Sequence, residues 1–123
     1  TVEEVKRITN GRGANVVITA LSVPSAHTEA QIIAAKRGRI SLFGGIAGDG
    51  KGYLDSNLIH YKELSIHGVH ATTAGMMKEI IRYVEAGKLN LEKYVTDVYD
   101  LKDISEGFLA IRDRNAMKVL VHP

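Results

Sequence analysis

The stretch Gly45-Ile-Ala-Gly-Asp-Gly-Lys51 spells G-x-x-x-x-G-K after a strand-like segment. A phosphate loop needs glycines whose backbone N–H groups cradle phosphates, a lysine for charge, and a Ser or Thr for Mg²⁺. Gly52 stands where that hydroxyl belongs, and Tyr53-Leu54-Asp55 does not open a helix. The stretch therefore reads as a glycine loop, and no ATP binding that depends on Lys51 is expected. Five histidines raise metal chemistry, with His60, His67 and His70 close in sequence. The step from His67 to His70 crosses a strand end, and no carboxylate completes a ligand set at helical spacing, so they read as surface or core histidines. No Ser-His-Asp order and no G-x-S-x-G elbow occurs. Glu3-Glu4 and Asp97/Asp100 read as helix-start and solvated charges rather than an acid/base pair.

A third signal is positional. Three strand-like runs end in small or turn-forming residues: Ala20-Leu21-Ser22, Phe43-Gly44-Gly45 and Gly68-Val69-His70. In parallel α/β sheets, ligands bind at the carboxyl ends of the strands. Glycines there let a flat ring and its carboxamide approach the backbone. The same glycines would equally serve plain turns, and the pattern leaves both readings open. Under the first, Gly44 faces ligand and a side chain there leaves the preceding strand packed.

These ends must be held by elements with the right periodicity. Thr1 and Glu4 have capping-box spacing, Val2, Val5 and Ile8 recur helically, and Asn10-Gly11 supplies a stop. Asn15 to Thr19 is continuously apolar, as in a strand covered on both faces. Pro24-Ser25 opens a helix with Ile32, Ile33, Ala34 and Ala35 near its end, and Arg39 to Phe43 forms a second strand. Ser56 or Asn57 caps a short helix before a third strand, Leu64 to Val69. Thr73 caps the clearest helix, whose stripe is Met76, Met77, Ile80, Ile81 and Val84, with Gly87 at its end. Tyr94 to Tyr99 is extended, a helix starts near Asp100 to Asp103 and carries Ile104, Phe108 and Ile111, and Lys118 to Val121 is a last strand. Helices alternating with short strands predict an α/β fold, a parallel sheet with helices on both faces. The alternation changes character near Gly87 to Leu91, which suggests a boundary there.

Composition narrows the function classes. Of 123 residues, 45% are hydrophobic and 24% charged, which is globular. Lys plus Arg number 16 against 14 Asp plus Glu, and a net charge of +2 argues against a dedicated nucleic-acid binder. The absence of cysteine excludes a disulfide scaffold, a Cys zinc site and a Cys nucleophile. With no membrane-spanning run and no signal peptide visible, a cytoplasmic protein without membrane partners is expected. The chain starts at Thr1, not Met, so a longer parent is expected.

Several segments then fall into one register. Gly13-Ala-Asn-Val-Val-Ile, Ala34-Ala-Lys-Arg-Gly-Arg-Ile-Ser-Leu-Phe-Gly-Gly45, Asn57-Leu-Ile-His-Tyr-Lys-Glu-Leu-Ser-Ile-His-Gly68, Ala86-Gly-Lys-Leu, Gly107-Phe and Met117-Lys-Val-Leu-Val resemble the medium-chain, zinc-type alcohol and polyol dehydrogenases. Asn57 to Gly68 looks most like the sorbitol, threonine and sugar-phosphate dehydrogenase branch. The resemblance implies the second half of a Rossmann-type sheet with flanking helices (residues 1–90) and a C-terminal segment (91–123) returning to a catalytic domain outside this chain. It implies an oxidoreductase that uses NAD or NADP on a secondary alcohol of a polyol, sugar or sugar-phosphate kind, with zinc in the parent polarising the substrate oxygen and no zinc ligand here. By carry-over, Ala20, Leu21, Ser22, Phe43, Gly44, Gly45, Gly68, Val69 and His70 would line the nicotinamide and its ribose, and Lys118 would approach the pyrophosphate. Thr19 to Ser22 departs from the more usual acidic and glycine-containing turn. Homo-oligomers joined through sheet edges are expected, with Val95 to Tyr99 and Lys118 to His122 left without partners in the isolated chain. Two other readings are a zinc-free quinone-reductase-like NADPH oxidoreductase and a non-catalytic α/β assembly module.

Overall fold

A computed structural model describes residues 1–123, which form two compact units, Thr1–Ala71 and Thr72–Pro123. The expected 1–90/91–123 division is of another kind, and a division by contact does not bear on it.

The first unit runs α1 (Val2–Ile8), β1 (Ala14–Ile18), α2 (Pro24–Ile33), β2 (Ala34–Leu42), α3 (Ser56–Lys62) and β3 (Ser65–Gly68). The strands lie in the order β1-β2-β3, all parallel. Parallel neighbours require crossovers, and the helices supply them. All three helices share one face: α1 packs on α2, α2 on β1, β2 and α3, and α3 on β2. The core is Val17, Ala30, Ala34, Ile40 and Leu64, with Ile33, Ile59 and Ile66 packed around it.

Register explains why the opposite face stays open. Val17, Ile40 and Ile66 form one cross-strand row toward the helices, while Val16-Arg39-Ser65 and Ile18-Ser41-His67 form the alternate rows. From Arg39 on, β2 alternates polar and apolar, and β3 does so as well, as a sheet covered on one side must; before Arg39 the register with β1 shifts. β1 does not alternate, which leaves Val16 49% and Ile18 62% exposed. The expectation of two-sided cover is thus corrected within this chain.

Local signals hold unevenly. α1 ends as expected, with Asn10 and Gly11 at φ 51° and 79°. Its capping box does not form. Thr1 makes no side-chain cap, and Glu4 instead accepts from Arg7 Nε at 2.8 Å, one turn on. A charge-assisted pair outcompetes a neutral backbone donor, and it holds the Glu4 carboxyl below its ordinary range. α2 begins with Pro24 in its first turn but ends at Ile33 rather than Ala35, because Ala34 already turns to ψ 137°. α3 is capped by Asp55, not Ser56 or Asn57: Asp55 Oδ1 accepts from Asn57 N–H at 2.8 Å and Leu58 N–H at 3.1 Å.

The carbonyls at the end of α2 have no helical partners. Lys62, at the end of α3, supplies them: its Nζ donates to the carbonyls of Gln31 (3.0 Å), Ile32 (2.8 Å) and Ala34 (2.9 Å). Burial, and next the charge of Lys6, hold this ammonium below the ordinary lysine range. Lys62→Met should keep the packing of the stem and lose these bonds. The expected cost is about 1–2 kcal/mol, because water reaches part of the site. A urea denaturation midpoint unchanged from wild type would show the cap to be dispensable.

The second unit contains α4 (Ala74–Glu85), β4 (Asp97–Asp100), α5 (Ile104–Arg112) and β5 (Val119–His122), with 3-10 turns at Glu92–Tyr94 and Leu101–Asp103. Thr73 caps α4 as its sequence indicates, Oγ1 accepting from Met76 N–H at 3.2 Å. The stripe from Met76 to Val84 stays exposed. β4 and β5 pair in parallel from Asp97↔Val119 to Asp100↔His122. This corrects the expectation that these strands lack partners: each satisfies one edge of the other. α5 packs across both, with buried Gly107 so close that a Cβ there would lie 3.1 Å from Val119 Cγ1. No helix is long and apolar enough to cross a membrane.

Candidate functional site

The carboxyl ends of the three parallel strands are stitched together by backbone bonds. Thr19 N–H donates to Ser41 O at 3.0 Å, Gly44 N–H to Thr19 O at 2.6 Å, and Val69 N–H to Leu42 O at 3.4 Å. Buried Thr19 adds its hydroxyl, which donates to Ser41 O at 3.2 Å. Ala20-Leu21-Ser22 and Phe43-Gly44-Gly45 are thereby brought into contact, and Gly68-Val69-His70 continues the row from β3. Leu21, Phe43 and Val69 are exposed, so the strand ends present apolar side chains on an open ledge.

The three glycines of the ledge differ. A Cβ on Gly44 would lie 2.7 Å from Leu21 O, 2.9 Å from its carbonyl carbon and 3.0 Å from its nitrogen. Gly44 is therefore a close-approach glycine between two strand ends. The expectation that a side chain there leaves the strand packed is corrected: the Leu21 backbone must move. A Cβ on Gly45 or Gly68 would meet nothing within 4 Å, and neither has positive φ. These two keep space open without being needed for the fold. Lys118 lies in the second unit, where its carbonyl accepts from Thr96 N–H at 3.0 Å.

The glycine loop Gly45 to Gly52 leads to no helix until Ser56. One residue that the sequence reading did not single out holds its far end. The Gln31 side chain, 0% exposed, donates from Nε2 to His27 O at 2.8 Å and Tyr53 O at 3.0 Å, and its Oε1 accepts from Asp55 N–H at 2.7 Å. A polar residue directly before Ile32-Ile33 in a core helix was the available signal. Zinc does not fit the residues present: there is no cysteine, and no three His, Asp or Glu side chains converge. His27 is buried, and the other four histidines are exposed.

The geometry is that of a three-stranded parallel α/β sheet with its helices on one face, and known proteins share it. Residues 1–86 match the profile of a family described as zinc-binding dehydrogenase. An (R,R)-butanediol dehydrogenase of Neisseria gonorrhoeae is 34% identical over 99% of this chain, and an L-threonine 3-dehydrogenase of Pyrococcus horikoshii is 33% identical over 97%. Among solved structures, an alcohol dehydrogenase from Thermus sp. ATN1 superposes over 99% of the chain with a TM-score of 0.89 at 21% identity, covering 35% of that protein. A 2R,3R-butanediol dehydrogenase from Bacillus subtilis does so over 100% with a TM-score of 0.86 at 25% identity, again covering 35% of that protein. The chain spans 34% of the length of the curated relatives. With a family profile matching most of its length and relatives matching nearly all of it, this chain belongs to the zinc-binding dehydrogenase family.

Proposed function

We propose that this chain serves a dehydrogenase that oxidises a secondary alcohol with NAD or NADP, and that its strand ends seat the nicotinamide. The open space over Gly45 and Gly68, at the ends of parallel strands, carries this reading. The two relatives named above are called butanediol and threonine 3-dehydrogenases, and both named substrates carry secondary hydroxyls. We extend that to a polyol or sugar derivative for the parent of this chain. Bound nicotinamide supplies the two-electron acceptor. This chain's own contribution is positional: Ala20 to Ser22, Phe43 to Gly45 and Gly68 to His70 orient the ring and its ribose, and apolar Leu21, Phe43 and Val69 limit water around it. Lys118 is assigned to the pyrophosphate. Zinc ligands belong to the parent outside these residues, residues 91–123 to its catalytic domain, and sheet edges to its self-association.

In the complete protein, Gly45→Val and Gly68→Val should each weaken NAD(H) binding by about tenfold or more while melting within about 2 °C of wild type, since each side chain enters open space. Calorimetric titration and a melting curve check both halves. Unchanged cofactor affinity in both variants would remove the strand ends from the site. Oxidation of butane-2,3-diol and threonine by the same protein, with NAD and with NADP, tests the substrate class.

A further inference from the structure

A cleft of about 360 Å³ opens where the strands begin, at the opposite end of the sheet from Ala20, Gly44 and Gly68. Four of its nine lining residues are cationic and none is acidic. They come from four separate places in the chain: Lys6 on α1, Arg12 in the turn after it, Lys36 on β2 and Lys62 on α3. Ile32 and Leu58 supply an apolar wall.

Each cation has a different degree of freedom. Lys62 gives its hydrogens to three carbonyls, so it is a fixed charge with no donor to spare. Lys36 shares Glu63 with Arg37, at 3.2 and 2.9 Å, and those two cations hold the Glu63 carboxyl below its ordinary range. Arg12 spends only Nε, on Thr9 O at 3.3 Å, and neither it nor Lys6 has a carboxylate partner. The neighbouring amides are taken: Gly11 N–H by Lys6 O at 2.8 Å, Arg12 N–H by Thr9 O at 3.2 Å, and Gly13 N–H by Thr9 Oγ1 at 2.9 Å. An anion here would therefore be read by side chains, not by a backbone cradle. Like charges facing one another in a concave, partly desolvated space repel until a counter-charge enters.

We propose that this cleft binds a small organic phosphate, with the phosphate dianion held by Lys6 and Arg12 over the fixed charge of Lys62 and the organic part against Ile32 and Leu58. A planar guanidinium matches two phosphate oxygens at once, and lysine adds a point charge. The size suits a small molecule, and a net charge of only +2 offers no extended surface for nucleic acid.

The test is calorimetric titration of the full chain with inorganic phosphate and with phenyl phosphate at fixed ionic strength. Saturable one-site binding is expected, tighter for phenyl phosphate and about tenfold weaker in Lys6→Gln/Arg12→Gln. Both residues are exposed, so that variant retains its core. Lys78→Gln/Arg82→Gln on α4 removes the same charge elsewhere and should bind as wild type. No saturable heat with either anion, or equal weakening in the two double variants, overturns the site. Equal affinity for the two anions overturns the apolar seat.

Discussion

Gly13→Ala should cost about 3–4 kcal/mol and leave much of the chain unfolded at 37 °C. Two effects add at this position. Its φ of 86° is a left-handed conformation, costing an alanine about 1–2 kcal/mol. The new Cβ would also lie 2.6 Å from Ile33 O, 2.9 Å from Ala35 N and 3.0 Å from Ala34 C. These are backbone atoms that cannot rotate away, so β1 must retreat from the joint between α2 and β2. That opens the Ala14↔Ala34 pairing and the core beneath it. Gly11 is the control: its φ of 79° is similar, yet nothing lies within 4 Å of its Cβ position. Gly11→Ala should therefore pay only the conformational part, about 1 kcal/mol. Urea denaturation of both variants separates the contributions. Equal midpoints would mean that crowding at Gly13 is relieved at no cost.

Gln31→Leu should cost about 3 kcal/mol despite matching the volume of the side chain it replaces. The leucine leaves the Asp55 N–H and the Tyr53 carbonyl, both part-buried, without their partner, each worth about 1–2 kcal/mol. Asp55 is also the N-cap of α3, so its loss of position loosens the helix that carries Lys62. Amide exchange from Lys51 to Leu58 should quicken in the variant, while that of β2 follows only the global loss of stability. A loss under about 1 kcal/mol with unchanged exchange would show that the loop is held by other contacts.

The alternation of helix and strand was legible in the residues, because 3.6-residue and two-residue periods compete openly along the chain. Thr73 could be recognised as a cap since its partner lies three residues on. Ala34 and Ala35 read as helix, because alanine has the highest helix propensity. The structure makes them strand, since their small side chains let Gly13 approach and bury there. Ser56, Asn57 and Asp55 are near equals as caps, so propensity could not choose among them; Gln31 chooses, by fixing the Asp55 amide. The Lys62 cap joins residues 28 to 31 apart and has no local signature. Of the candidate site, the three strand ends were visible as breaks of small or turn-forming residues. That Gly44 is packed while Gly45 and Gly68 face space depends on the backbone of Leu21, which lies in the turn after another strand, β1.

The direct passage from α2 into β2 at Ile33 and Ala34, with no connecting residue, bears on where this lineage can change length. Deleting one residue at that seam would draw Ala34 off its partner Ala14 or, carried as far as Arg39, turn Ile40 toward the open face and Arg39 into the core. Only a compensating change before Arg39 would restore the order. Between Gly45 and Gly50, by contrast, the chain pairs with no strand, and Gly45 and Gly48 have open space beside them. Insertions and deletions among descendants should gather there, and the seam should keep its residue count even where its residue types drift.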